Sequence, residues 1–485
     1  MNKKILFLAY FLFALFFNIS NSIAQKLSKE KKIGLDEVVK LSPQIHELCQ
    51  TLWDYSETAL KEHKSAGLLI EVLKEAGFSI EENVAGMPTA FVATFGTGSP
   101  VIGILAEYDA LPGVGNANVP FRQVREDGVK SGQGCGHNLF GSACINAAIA
   151  IKKTMEKQNI KGTLKLFGTP AEETVVGKVY MAKDGVFNGL DACLEWHPGT
   201  ETQAGFGKSL AMNNFQVEFF GQAAHGAADP WNGRSALDAV EMMNYGVNLM
   251  REHVYPTTRI HYVIPKGGEA PNVVPEYAMA WYFVRDTSRA NVEMYYQRIL
   301  KIAEGAAMAT QTEYKVTLIT GVHEYNINEP LTFAVDKNLK TVGAPKFTDE
   351  EQKWAKELQK STKKIDVGFK TEIKDIPDNW ESLLPTGGST DVAEVSFITP
   401  TVGFRVATAP FDVPWHSWAT SASHGTVAAY KGAEVAAKVL TLTAIDLYLD
   451  DNLMLNAKNY FNKKTAGKPY KSPIPIDQKV ILPPL

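Results

Sequence analysis

Thr163-Leu164-Lys165-Leu166-Phe167-Gly168-Thr169-Pro170-Ala171-Glu172-Glu173 begins as an apolar run and ends on two adjacent carboxylates. The run is short, and Gly168 and Pro170 close it, so it reads as a buried strand. Ala90–Phe95, Val101–Ala106 and Ala192–Trp196 read the same way. Helical segments lie before and between them. Leu35–Phe78 has apolar residues at three and four spacing, carried by Leu48, Leu52, Trp53 and the Leu68–Leu73 stretch, and Gly77 ends its second helix. Ala143–Met155 is a helix rich in Ala and Ile. Strands alternating with helices predict an α/β sheet with helices on both faces.

The middle of the chain reads as a separate unit. Phe215–Phe220 alternates like a half-buried strand, Ser235–Val254 is helical, and Arg259–Ile264 and Ala278–Val284 are strands. Ala290–Ala307 is helical again and Lys315–Thr320 is a strand. The order β-α-β-β-α-β is the ferredoxin-like arrangement. The expected organisation is an insertion at 208–323 in a larger α/β unit made of 25–207 and 324–485. Within the second part, 347–385 is acidic and Lys-rich and reads as a further insertion, with Asp349–Lys364 as a solvated surface helix. Thr401–Val406 is expected as one strand, Ala419–Leu449 as one long helix, and the tail from Asn456 as an irregular surface wrap.

Composition excludes several classes. Of 485 residues, 45% are hydrophobic and 21% charged, which fits a globular chain of about two or three domains. Lys+Arg 49 against Asp+Glu 53, with no basic run, argues against a nucleic-acid binder. No period recurs, so repeat architectures are not expected. Cys49, Cys135, Cys144 and Cys193 are too few for a disulfide framework in a chain this long. At the start, Lys3 and Lys4 precede the apolar run Ile5–Phe17, and Ser22-Ile23-Ala24 follows a polar stretch. That is the pattern of a secretory signal peptide at 1–24. The run falls short of the roughly 20 residues of a membrane span. The expectation is an exported protein, periplasmic or extracellular, without membrane contact after cleavage.

Four segments carry candidate chemistry. Gly134-Cys135-Gly136-His137 stands before a helix, where glycines let a thiolate and an imidazole turn toward one ion. Glu172-Glu173 lies at the carboxyl end of a strand, where ligands bind in open α/β sheets. One of these carboxylates can hold a metal and the other a proton. Glu195-Trp196-His197-Pro198 ends another strand, and Trp415-His416-Ser417-Trp418 precedes the last long helix. Mixed nitrogen, sulfur and oxygen donors suit Zn²⁺ or a similar first-row ion. Read singly, each segment is also compatible with a buried Cys, a solvated acidic turn or a core His. Asp109, at a strand end, is a candidate to orient a histidine ligand.

Further motifs accompany these segments in order. They are Leu52-Trp53-Asp54-Tyr55-Ser56-Glu57 with Glu62 and Ser65, Ala106-Glu107-Tyr108-Asp109-Ala110-Leu111-Pro112, and His225. Gly267-Gly268 with Asn272 and Pro275, Gly388-Ser389-Thr390-Asp391-Val392, Arg405-Val406-Ala407-Thr408 and Lys431-Gly432 follow. With them the mature chain resembles the metal-dependent amidohydrolase branch of the aminoacylase and carboxypeptidase superfamily, and within it the aminobenzoyl-glutamate hydrolase B-subunit type. The resemblance implies a mixed-sheet, di-metal exopeptidase-like domain with a ferredoxin-like lid that carries a dimer interface. It implies two divalent ions per chain, Zn or Mn before Co or Ni. Cys135 would bridge them, with His137, Glu173, His197 and His416 as the remaining ligands and Glu172 as the base. His416 is preferred over His424, which is expected on a helix surface. His225 resembles a lid histidine that reaches into a partner's site to stabilise an oxyanion. Asn272, Arg285 and Gly388 resemble substrate-binding residues, and Arg405 is a second candidate for the substrate carboxylate.

The resulting expectation is an amidohydrolase acting on N-acyl or N-aroyl amino acids or small dipeptides, as a homodimer. The alternative is a non-catalytic or partner-dependent subunit of a hetero-oligomeric hydrolase. An aminopeptidase would need an acidic pocket for the substrate amine, and no motif marks one.

Overall fold

The computed structural model describes residues 27–174, 176–385 and 388–480. The signal-peptide expectation at 1–24 lies outside them. The first part of the chain forms α1 (Lys29–Tyr55), α2 (His63–Glu75), β1 (Ser79–Glu82), β2 (Phe91–Thr97), β3 (Val101–Ala106), α3 (His137–Gln158) and β4 (Gly162–Gly168). It continues through α4 (Gly177–Lys183), β5 (Ala192–Leu194), β6 (His197–Gly199) and β7 (Thr202–Ala204).

The central sheet runs β1-β2-β4-β3-β5 and is completed by β13 (Thr401–Val402). Its β4-β3-β5-β13 half is parallel and its β1-β2-β4 edge is antiparallel. The apolar runs are nearly continuous, with Lys165 half-buried within β4, because both faces are covered. Ile102, Ile104, Leu164 and Leu166 pack into one core with α1 and α3, while Leu105 and Phe167 pack into a second with Val179, Tyr180 and Phe187.

The inserted unit consists of β8 (Ala211–Phe220), α5 (Ala236–Met250), β9 (Arg259–Lys266), β10 (Tyr277–Asp286), α6 (Arg289–Thr310) and β11 (Glu313–Val322). It is a four-stranded antiparallel sheet in the order β11-β8-β10-β9. Alternation decides its covered face: Phe215, Val217 and Phe219 on β8 and Ala278, Ala280, Tyr282 and Val284 on β10 share one core with α5 and α6. Ser235 and Ser288 start the two helices by accepting the amides of Asp238 and Asn291. The β-α-β-β-α-β order expected from periodicity is present.

After α7 (Glu329–Val342), the 347–385 stretch contains α8 (Asp349–Ser361) and β12 (Ile373–Lys374), followed by α9 (Val392–Ser396). Helix α8 is not wholly solvated. Ala355 and Leu358 are buried, and Leu358 packs with Ala409, Val413, Ala419 and Trp415.

Three further expectations need correction. Thr401–Val406 is two strands in two sheets: β13 ends at Val402, and β14 (Phe404–Ala407) joins a small sheet β12-β7-β14-β6. The long helix is α10 (Trp418–Ser423) and α11 (Val427–Leu449), separated where the Thr426 hydroxyl caps α11 by accepting from Ala429 N. The tail from Asn456 begins inside α12 (Asp451–Thr465) and becomes irregular only after it.

Candidate metal centre

Strand ends gather the candidate ligands. Gly136, with φ +86°, caps α3 and turns the chain between Cys135 and His137. No side chain fits there, because a Cβ would lie 2.9 Å from both Cε1 of His424 and Cβ of Pro198. At the end of β4, Ala171 takes φ +62° and so directs Glu172 and Glu173 back over the sheet. Buried Glu62 holds that turn, accepting Ala171 N at 2.9 Å while Thr89 donates to its other oxygen at 3.0 Å. His416 also has a positive φ, +53°, a conformation that a non-glycine residue keeps only when its surroundings impose it. The α8 cluster beneath Trp415 supplies that support.

Cys135 is the centre of the arrangement. Its sulfur lies 3.4 Å from Nε2 of His197 and 3.4 Å from Nε2 of His416, and Trp415 Nε1 donates to it at 3.4 Å. His416 Nε2 is 3.5 Å from Glu173 Oε2. His197 donates through Nδ1 to the Pro198 carbonyl at 2.7 Å, which leaves its Nε2 as a lone pair toward Cys135. Asp109 fixes two ligands at once, taking His137 Nδ1 at 2.9 Å and Glu173 N at 2.9 Å.

The electrostatics of this pocket are those of donors waiting for a cation. Burial and the charge of Glu173 push the Cys135 thiol up. Burial raises Glu173 to about 7 and, with Glu107 and Glu173 beside it, raises Glu172 well above the usual carboxylate range. Burial and the charge on His137 hold His197 well below its usual value. On His137, burial opposes the charge, but Cys135, Glu107 and Asp109 together overcome it and raise its pKa. Among the described residues Glu173 Oε1 is buried without a hydrogen-bond partner, although it belongs to a charged side chain. A set of nitrogen, sulfur and oxygen donors, buried at Cys135 and His137 and open to solvent at His416, fits a first-row divalent ion. Its atoms group as Cys135-His137-His197, Cys135-Glu173-His416 and Glu107-His137-Glu172, each within 4.8 Å.

His424 is not on a helix surface. It is fully buried, with Nδ1 2.7 Å from the Gln133 carbonyl and Nε2 3.3 Å from the Thr408 hydroxyl, so it supports the centre from behind. The inserted unit's candidates form two groups. His225 and Asn272 sit on adjoining exposed loops, where Gly226 N donates to Asn272 O at 2.8 Å. Arg285, on β10, has its Nε buried without a partner among the described residues, and Nη1 is 3.6 Å from where a Cβ on Gly388 would lie. Arg405 pairs with His197 across β14 and β6, and it is exposed. Sequence reading assigned no role to Glu107, Lys178 or Glu62 in this centre. Lys178 looks like a surface lysine in Gly177-Lys178-Val179-Tyr180, and only the fold shows that it is buried.

Residues 103–402, from β3 through β13, match peptidase family M20/M25/M40. The chain belongs to that family. Like its relatives there it is a hydrolase, and it is 34% identical over 476 residues to the B-subunit of p-aminobenzoyl-glutamate hydrolase from Escherichia coli (strain K12), covering 91% of this chain and 97% of the relative. It is also 27% identical over 461 residues to the Xaa-Arg dipeptidase of Mus musculus, covering 91% of this chain and 94% of that one. Its fold is that of a Bacillus subtilis M20 protein described as a dinuclear metal binding peptidase, with TM-score 0.53, 18% identity, and 83% and 99% of the two chains covered. In this M20 chain the match spans both the sheet and the inserted unit.

Proposed function

We propose that this chain is an exported, homodimeric, metal-dependent amidohydrolase. It cleaves the amide bond of N-acyl or N-aroyl amino acids, with aminobenzoyl-glutamate-like conjugates first among them and small dipeptides next. The observation that carries the chemistry is the shared thiol: Cys135 Sγ stands 3.4 Å from two histidine nitrogens, one on His197 at the start of β6 and one on His416 in the loop before α10. Two ions, Zn or Mn, held by Cys135, His137, Glu173, His197 and His416 would polarise the amide carbonyl and lower the pKa of water beside it. Glu172 takes the proton of the attacking water and passes it to the departing nitrogen. Its burial beside Glu107 and Glu173 favours holding that proton between the two steps.

Around this reaction the other residues bind and orient. His225 accepts the amides of Ala227 and Ala228 on Nδ1, at 3.2 and 3.1 Å, so Nε2 carries the proton and faces outward as a donor. These two bonds stay within its own loop, which supports a role in the site of a second copy, where a fixed donor stabilises developing negative charge. Arg285, half-buried beside Gly388 and without an acidic partner among the described residues, suits a substrate carboxylate, whose two oxygens match the guanidinium fork. Asn272 lies on the loop next to His225, and with it would reach the substrate carboxylate from a second copy. Lys3, Lys4, the Ile5–Phe17 run and Ala24 support export.

Amine release from a panel of N-acyl amino acids, by metal-loaded wild type and by Glu172→Gln, tests the reading. Turnover that disappears in Glu172→Gln while the ions stay bound is expected, and retained turnover would remove Glu172 as the base. The relative's designation as a subunit motivates one other reading, a chain that works only with a partner subunit. Silence of the isolated wild type on every substrate, with activity restored by a second, related chain, would favour it.

A further inference from the structure

A lysine without access to solvent lies against the candidate metal centre. Lys178 on α4 is fully buried, its ammonium 2.6 Å from Glu107 Oε1 and 2.7 Å from Asp391 Oδ1, and its amide donates to Asp391 Oδ2 at 2.8 Å. A buried ammonium survives only when paired, and here two carboxylates pair it. Glu107 has a second oxygen that the lysine does not use. That atom, Oε2, is buried and faces Nε2 of His137 at 3.0 Å, and apart from that contact neither atom has a hydrogen-bond partner among the described residues.

The geometry of His137 makes the contact informative. Its Nδ1 is already engaged by Asp109 at 2.9 Å. Nε2 and Glu107 Oε2, 3.0 Å apart and both buried, therefore need a proton or a metal ion between them. Glu172 contributes a third donor to the same place, with the ligand atoms of Glu107, His137 and Glu172 all within 4.8 Å of one another.

We infer that Glu107 is a further ligand for an ion on the His137 side, a carboxylate held in position by the buried ammonium of Lys178. The inference rests on reading the Cys135 cluster as a metal centre. It adds to that cluster an oxygen donor from the end of β3, where the sheet delivers Glu107 and Asp109 with a single residue between them. Lys178 is a positioning residue: it touches the ion's ligand and not the ion. Through Asp391 it also ties the centre to the Gly388–Thr390 segment, so one buried cation spans the metal side and the substrate side.

Titration of metal-free protein with Co²⁺ tests this without any substrate. The readouts are ions bound per chain, their Kd values, the visible absorption of bound Co²⁺, and the melting temperature of the metal-free form. Glu107→Gln keeps the shape of the side chain and leaves Lys178 paired with Asp391. It is expected to bind one ion at least about tenfold more weakly than wild type, with an altered Co²⁺ spectrum. Unchanged Kd values and spectrum in a folded Glu107→Gln protein would overturn Glu107 as a ligand and leave the Cys135 centre standing. If that variant does not fold, Glu107→Asp keeps the charge on Lys178 but withdraws the carboxylate, and the same two outcomes apply. Adding Lys178→Met to Glu107→Gln should weaken the ion no further, since the lysine acts through the carboxylate; a further loss would overturn its assignment. A wild-type chain that takes up no Co²⁺ would remove the metal reading itself.

Discussion

Gly136→Ala is the sharpest probe of how the Cys135–His137 turn is built. Two costs arise in the folded state. Alanine must adopt φ +86°, which disfavours an L residue by about 1–2 kcal/mol. Its methyl would stand 2.9 Å from His424 Cε1 and 2.9 Å from Cβ and Cγ of Pro198. Neither neighbour can swing aside. His424 is buried and tied to the Gln133 carbonyl at 2.7 Å, and Pro198 is a ring held within β6. Overpacking of that kind adds about 1–3 kcal/mol, so the expected loss is about 2–5 kcal/mol. Urea unfolding of the metal-free protein measures it. Gly98→Ala is the control, since Gly98 has φ +83° and nothing within 4 Å of where its Cβ would lie, so only the backbone cost applies. A Gly136→Ala loss no larger than that of Gly98→Ala would refute the close approach of Pro198 and His424. It would also remove the placement of His197 beside Cys135.

Three other outcomes follow from the same geometry. Asp109→Asn should weaken ion binding by about 10–100-fold, read by Co²⁺ titration, because Asp109 orients His137 and holds Glu173 N; unchanged affinity would sink that role. The metal-free protein should melt at lower temperature as pH rises from 6.5 to 8, above the range where the lowered His197, His416 and His424 act the other way, tested by a thermal scan. Burial raises Glu173 from 4.5 to about 7 and Glu62 from 4.5 to about 8, so the folded state holds extra protons that it loses on the way up. The raised His137 acts in the same direction, since its stabilisation is present below 6.5 and disappears as pH rises through its folded value. A flat or rising melting curve would contradict this. Arg285→Met should raise KM for N-acyl amino acids and leave their carboxyl-amide analogues unaffected, and an equal effect on both would separate Arg285 from the carboxylate.

The sequence made the sheet and the inserted unit legible because both are written in apolar period. Val101–Ala106 is unbroken because each face of β3 meets a different core, and Phe215–Phe220 alternates because only one face of β8 does. Cys135, His137, Glu173, His197 and His416 were legible as types and order, and the fold brings their donor atoms into one pocket. What failed was local competition with tertiary contacts. Apolar spacing reads Ala419–Leu449 as one helix, but Ser423-His424-Gly425-Thr426 holds both a breaker and a cap: Gly425 packs against the Trp53 ring and Thr426 restarts the helix by capping it. His424 reads as a surface residue on that continuous helix and is buried once the helix breaks. Lys178 was illegible for a related reason, because nothing in its neighbours announces the two carboxylates that neutralise it.

The charge balance of the centre gives these residues a common logic. Glu107, Asp109 and Asp391 are almost wholly buried beside the Cys135 thiol, with Glu172 and Glu173 at the same pocket and the Lys178 ammonium as their closest paired cation. Without further positive charge the group lowers its charge by binding protons: Glu172, Glu173 and Cys135 are all pushed up, and His137 is raised as well. Divalent ions and protons therefore compete for the same electrons, and loading must release protons. Affinity should accordingly rise with pH over the range in which the metal-free protein loses stability. Parallel proton-release and ion-binding titrations at pH 6 and pH 8 would show both effects together. Ion affinity independent of pH would mean that the buried carboxyls keep their protons with the ion bound, and Glu172 could not then serve as the base.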